Sequence, residues 1–189
     1  NAKATDTYIL KGEGVETWEP KFPYHGFRYV QVEGLPHAPK VGDIRVKIVR
    51  NAVAPVGKFH CSNELLNRIH RMVVATEASN LHGVPTDCPQ RDERMGWVND
   101  LTVRIEQAVY NFDFSRFYAK FIDDIADTQH EDGTITCVAP YRFGARPADP
   151  VSASYLLLAW KSYEYYGNRN IIRDHYDGLK GWVDYLASR

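Results

Sequence analysis

Residues 65–76, Leu65-Leu66-Asn67-Arg68-Ile69-His70-Arg71-Met72-Val73-Val74-Ala75-Thr76, are the first place where the apolar pattern of this chain takes a helical period. Leu65, Leu66, Ile69, Met72, Val73 and Thr76 recur at 3.6-residue spacing, which puts them on one side of a helix. Ser62 stands where an N-cap side chain is needed, and Gly83 lies where the helix should have ended. The same period continues downstream. A second helix is expected from about Asp100 to Tyr110, with Leu101, Ile105, Ala108 and Val109 as its apolar positions. A third begins near Ser115, places Phe117, Phe121, Ile122 and Ile125 on one side, and stops before the turn signal His130-Glu131-Asp132-Gly133. A fourth follows Pro150 and carries Tyr155, Leu156, Leu158, Ala159, Tyr163 and Tyr166 to Gly167. A fifth spans about Gly178 to Ala187 through Leu179, Trp182, Val183 and Leu186. Serial helices with aromatic-rich inner faces, joined by loops of unequal length, imply a helical toroid or bundle.

Upstream of Pro55 the pattern is different. Tyr8-Ile9-Leu10, residues 27–32 and residues 44–49 are short, β-branched or aromatic, and separated by Gly and Pro, as strands are. Ile44, Val46 and Ile48 alternate with Arg45, Lys47 and Val49, a strand with one face turned inward. About three strands are expected. A two-sheet sandwich needs about seven, so three make only part of one.

Composition narrows the function. With 23 basic and 24 acidic residues the formal net charge is −1, and no basic stripe is present to follow a phosphate backbone, so nucleic acid is not an expected partner. No run approaches the ~18 consecutive apolar residues of a membrane span, and residues 1–7 lack the charged start and apolar middle of a signal peptide. Cys61, Cys88 and Cys137 are odd in number, widely spaced and free of any CxxC pair, which favours neither a disulfide framework nor a zinc site. Their free thiols favour the cytoplasm over the periplasm or secretion.

Residues 86–100, Thr-Asp-Cys-Pro-Gln-Arg-Asp-Glu-Arg-Met-Gly-Trp-Val-Asn-Asp, separate the first two helices, yet they hold far more than a connector needs. Asp87, Asp92, Glu93 and Asp100 are candidate proton donors, Arg91 and Arg94 fixed cations, and Trp97 an aromatic platform. Carboxylates beside an aromatic ring suit sugar chemistry, because a sugar offers hydroxyls at its rim and an apolar face. Inverting cleavage of a glycosidic bond takes one carboxylic acid to protonate the leaving oxygen and one carboxylate to activate water, roughly 6.5 to 9.5 Å apart. Asp87 and Glu93, six residues apart, would not share a face of a helix, and Pro89 opposes one; an irregular turn is needed for both to meet one sugar. From Glu93 onward a helix would align Trp97 and Asp100 with it, although Gly96 weakens that arrangement.

The run Thr86-Asp87-Cys88-Pro89-Gln90-Arg91-Asp92-Glu93-Arg94-Met95-Gly96-Trp97, followed by Asp100, resembles the signature of bacterial α-L-rhamnosidases of glycoside hydrolase family 78. The flanks agree. Tyr24-His25-Gly26-Phe27-Arg28-Tyr29-Val30 resembles the end of the β-sandwich that precedes the catalytic domain, and Ala139-Pro140 with Asp149-Pro150 resembles a later loop. The resemblance implies a mainly α chain: residues 1–54 the C-terminal part of a β-sandwich domain with its linker, residues 55–189 the N-terminal part of an (α/α)6 barrel. Twelve helices with their loops need on the order of 200 residues or more, so five form an incomplete ring, with the remainder of the barrel or a self-association partner expected against its apolar faces.

By resemblance, Glu93 is the general acid of an inverting α-L-rhamnosidase, Asp87 and Arg91 bind rhamnose hydroxyls, Trp97 packs against the sugar and Asp100 also contacts it. The family's general base is a glutamate far downstream that no residue here matches, so the base is expected outside this chain, the chain supplies the acid side, and alone it is expected to be inactive. The partner is then a rhamnose-containing glycoside or glycan, and no cofactor or metal is called for. Relatives that degrade glycans are often exported, against the cysteine argument. The family often has a tryptophan just after the later Asp-Pro, whereas here Val151-Ser152-Ala153 follows, with Tyr141, Arg142 and Phe143 as alternative wall residues. Asp123, Asp124 and Asp127 read as a solvated helix face rather than a cation site, and His60, His70, His82 and His130 as structural or solvated. Two alternatives stand beside the main reading: a non-catalytic carbohydrate-binding or scaffolding domain, and another (α/α)6 glycosidase. A lyase, which wants a Tyr or His base and a cation for a uronate, is disfavoured by so many carboxylates.

Overall fold

The computed structural model describes residues 3–189. They divide into two units: residues 3–49 with Cys88–Arg94, and Arg50–Asp87 with Met95–Arg189.

The second unit is helical, with α1 Glu64–Ser79, α2 Val98–Thr102, α3 Ile105–Asn111, α4 Ser115–Ala126, α5 Ser154–Tyr166 and α6 Arg169–Ala187. Among the described residues no helix is long and apolar enough to cross a membrane. Helix α5 is the hub and packs against α2, α3, α4 and α6. Trp182, Tyr118, Tyr155, Phe114 and Phe121 are the largest side chains shut off from solvent. The third predicted helix is realised as α4, with Phe117, Phe121, Ile122 and Ile125 buried and Tyr118 added, its hydroxyl donating to the Ile105 carbonyl at 3.1 Å. Helix α5 stops at Gly167 in the left-handed conformation (φ 65°), where a side chain would be strained.

Four helix boundaries depart from the sequence expectation, one being the end of α1, which is capped at Asn80 rather than Gly83. Asn63, not Ser62, caps α1: its Oδ1 accepts from the Leu65 N–H at 2.9 Å. The second predicted helix is two short ones, broken at Val103 and Arg104, where the Arg104 side chain turns away to the Glu77 carboxylate at 2.7 Å. The fifth starts at Arg169 rather than near Gly178. Gly178 lies inside it because a Cβ there would stand 2.6 Å from the Tyr155 hydroxyl, so it marks close approach of α5 and not a helix end. Helix α1 also turns its polar side inward. Asn67 and Glu77 are buried, while Leu65, Leu66, Ile69, Met72 and Val73 are exposed.

Residues 133–139, which begin at the end of the predicted turn His130-Glu131-Asp132-Gly133, run buried through this unit. Their backbone is satisfied without a sheet: Cys137 N–H donates to the Ala145 carbonyl at 3.2 Å, and Ala148 N–H to the Ile135 carbonyl at 2.8 Å.

In the first unit the three predicted strands are absent among the described residues. Ile44, Val46 and Ile48 stay exposed, as do Val49 and Tyr29. A strand is held by ladder bonds to a neighbouring strand, and a lone pair of strands is marginal in water.

Candidate functional site

The segment 86–97 contains no helix, so the alignment of Glu93, Trp97 and Asp100 on one helical face does not occur. Trp97 (φ −65°, ψ 118°) is instead the extended N-cap of α2. It is set there by the buried 133–139 run. Ala139 N–H donates to the Gly96 carbonyl and Val98 N–H to the Cys137 carbonyl, both at 2.9 Å, pairing Trp97 with Val138 in an antiparallel bridge. Gly96 is required by that pairing: a Cβ would lie 2.2 Å from the Ala139 oxygen and 2.9 Å from the Phe121 ring. The Trp97 ring is partly buried and meets Phe143 edge-on at 6.4 Å, and its Nε1 is buried without a hydrogen-bond partner. Phe143 is half exposed. Next to it, Tyr141 lies beneath the Arg146 guanidinium at 4.5 Å.

Asp87 is fixed through both its main chain and its side chain. Its N–H donates to the Met95 carbonyl at 3.1 Å, and Oδ1 accepts from the Met95 N–H at 2.8 Å, which orients the carboxylate in this same unit. Asp100 is exposed in the first turn of α2.

Within the first unit, Glu93 is part-buried and pairs with Arg91 at 2.8 Å. Arg94, read from the sequence as a fixed cation, has its guanidinium on main-chain oxygens. It takes up a left-handed backbone conformation (φ 52°), uncommon for a side-chain-bearing residue, and spends its guanidinium on two carbonyls: Arg91 at 2.9 Å and Tyr24 at 2.6 Å. Its charge also stacks over the Tyr24 ring at 4.7 Å. Asp92 is exposed.

Several of the other candidates have structural partners. His70 shares a hydrogen bond with Asn111 Oδ1 at 2.9 Å, Asp123 with His175 at 3.0 Å, and Asp124 is paired with Lys120. Sequence reading missed Met95 as the backbone partner of Asp87, since a main-chain donor leaves no mark on residue type. It also missed Asn80, a buried polar residue, and the burial of Thr86, which it read only as the first member of the charged run.

Comparison with known proteins assigns the chain. Residues 54–189 match the family model described as bacterial alpha-L-rhamnosidase 6 hairpin glycosidase domain, and residues 1–50 match the bacterial alpha-L-rhamnosidase concanavalin-like domain. An alpha-L-rhamnosidase of Streptomyces avermitilis is 37% identical over 188 residues, covering 98% of this chain and 18% of the relative. One from Formosa agariphila is 34% identical, covering 96% and 20%. Among solved structures, the alpha-L-rhamnosidase from Dictyoglumus thermophilum superposes with a TM-score of 0.88 at 46% identity, over 90% of this chain and 20% of that one. The Streptomyces avermitilis enzyme, solved in complex with L-rhamnose, gives a TM-score of 0.90 at 33% identity, over 95% and 18%. The chain thus spans about a fifth of the length of the relatives it matches. Matched along both of its parts, in its helical fold as in its sequence, the chain belongs to the bacterial α-L-rhamnosidase six-hairpin glycosidase family.

Proposed function

We propose that this chain supplies the acid side of an inverting α-L-rhamnosidase site, which hydrolyses terminal non-reducing α-L-rhamnose from rhamnosides. The observation that carries the reading is the pairing of an oriented carboxylate with an aromatic wall: Asp87, locked by the Met95 N–H, and Trp97 edge-on to Phe143, in one unit. A 6-deoxyhexose presents hydroxyls that donate and an apolar methyl to cover, and these two groups meet both needs. Asp87 accepts from sugar hydroxyls, Trp97 covers the apolar face, and Asp100 adds an acceptor at the rim. Arg91 donates to sugar hydroxyls through its guanidinium, a fork of N–H donors.

Glu93 is the proton donor to the leaving oxygen in this account, a role taken from the match of residues 86–97 to the family signature. The carboxylate that activates water on the opposite face of the ring is placed outside residues 1–189. The match of residues 1–50 to a concanavalin-like domain supports reading residues 1–54 as the end of a β-sandwich domain, with residues 55–189 the beginning of the barrel.

A panel of nitrophenyl glycosides offered to the complete protein tests this. Selective release from the α-L-rhamnoside is expected, with β-L-rhamnose the first anomer seen by NMR. Release only from other sugars, or α-L-rhamnose formed first, contradicts it. Rhamnose binding without turnover would favour the non-catalytic alternative.

A further inference from the structure

The residue before Asp87 has each of its polar groups engaged. Thr86 is only 3% exposed. Its N–H donates to the Asn80 carbonyl at 2.8 Å, its hydroxyl donates to Asn80 Oδ1 at 3.2 Å, and the Arg104 guanidinium approaches its carbonyl at 3.5 Å. Asn80 is fixed in turn. It is the C-cap of α1, with its N–H on the Glu77 carbonyl at 3.1 Å and Nδ2 on the Thr76 carbonyl at 3.0 Å. The other amino group of Arg104 holds Glu77 at 2.7 Å. Residues 80–86 therefore form a loop tied at its base, and Asp87 is the first residue beyond the tie.

Packing alone does not ask for this hydroxyl. Valine has nearly the volume of threonine, and would fill a buried space without a polar atom to satisfy. What the hydroxyl adds is direction, because it fixes the backbone from which the Asp87 side chain departs. Hydrogen bonding to a ligand tolerates displacements well below an ångström, so the origin of an acceptor matters as much as its charge.

We infer that Thr86, clamped to Asn80, is a positioning residue that sets Asp87 for sugar binding. This rests on the reading of Asp87 as an acceptor for sugar hydroxyls. An acceptor that holds the sugar equally before and during reaction acts on KM rather than kcat, and loss of its positioning does the same.

The test uses the complete protein with nitrophenyl α-L-rhamnoside, at a temperature where circular dichroism shows every variant folded. Thr86→Val is expected to raise KM about fivefold to tenfold with kcat within about twofold, the effect of one misdirected hydrogen bond. Thr86→Ser keeps the hydroxyl and is expected to restore KM to within about twofold of the parent. If Thr86→Val fails to fold, Thr86→Ala, which also removes the hydroxyl but adds no bulk, takes its place with the same expectation. Unchanged KM in the hydroxyl-free variant, or an equal rise in the serine variant, overturns the inference. Asp87→Asn, measured in parallel, separates the two levels. If it raises KM and the threonine variants do not, positioning fails alone; if it leaves KM unchanged, the role of Asp87 fails, and the inference with it.

Discussion

The two units of this chain carry similar apolar side chains to opposite ends. In residues 3–49, Val15, Phe22 and Ile48 lie almost wholly in solvent, and no hydrogen-bonded strand forms. In the helical unit, Phe121, Ile122, Ile125 and Trp182 are shut off from solvent entirely. Hydrophobicity of the individual residues does not separate these regions; the range over which their backbones must find partners does so in part, since helix α1 still leaves Leu65, Leu66 and Met72 exposed. A helix closes its own hydrogen bonds four residues away, and needs only one apolar stripe to meet a neighbour. A strand depends on a second strand from elsewhere in the chain. Apolar character thus becomes a core only where the backbone is already satisfied.

Substitutions matched across the units sharpen this contrast. The largest difference is expected from Phe121→Ala, which removes a fully buried ring and should destabilise by about 3–5 kcal/mol, against a change of less than about 0.5 kcal/mol for Phe22→Ala. Chemical denaturation reads both. Equal effects would mean that residues 3–49 bury their aromatics after all.

Ion pairs should divide in the same way. Glu77 and Arg104 meet in the helical unit with the carboxylate buried, so Glu77→Ala strands a cation and should cost about 3 kcal/mol. Lys47 and Glu19, paired in the first unit, are both well exposed, and Glu19→Ala should change the midpoint by less than about 1 kcal/mol.

Two tyrosines make the smallest and most diagnostic pair. Tyr155 is buried, and desolvation first, with Asp123 adding to it, pushes its pKa up to about 12. The unfolded chain releases this proton near pH 10, so the stabilisation is whole below that value and is lost as pH rises from 10 toward 12. Tyr155→Phe should remove an alkaline loss of about 2–3 kcal/mol and leave stability at pH 7 nearly unaltered. Tyr8 is also raised, but by its 2.7 Å hydrogen bond to Glu16 at the surface. Tyr8→Phe should alter the alkaline limb barely at all. An alkaline limb that both variants change alike would undo the distinction between burial and surface bonding.

Much of the helical unit was legible in the sequence because its signals are local. The inner face of α4 follows from the spacing of Phe117, Phe121, Ile122 and Ile125, and the end of α5 from Gly167. Misreadings arose where long-range contact decides. Gly178 reads as a helix start but serves the close approach of Tyr155, and nothing in the sequence shows that the Arg94 guanidinium holds the carbonyls of Tyr24 and Arg91. The charged run was visible as residue types. Its geometry was not, since Asp87 is held by the main chain of Met95, and Trp97 is set by bonds of Gly96 and Val98 to the distant backbone of Ala139 and Cys137, of which only the glycine at 96 leaves a mark on residue type.

The central claim is that Glu93 gives the proton. The direct measurement is the kcat of Glu93→Gln in the complete protein on two α-L-rhamnosides, one with a poor alcohol leaving group and one with dinitrophenol. The account predicts a fall of about a thousandfold for the poor leaving group, and a far smaller one for dinitrophenol, which departs without protonation. Losses of equal size on both substrates, or activity within about tenfold of the parent on the poor one, would contradict it.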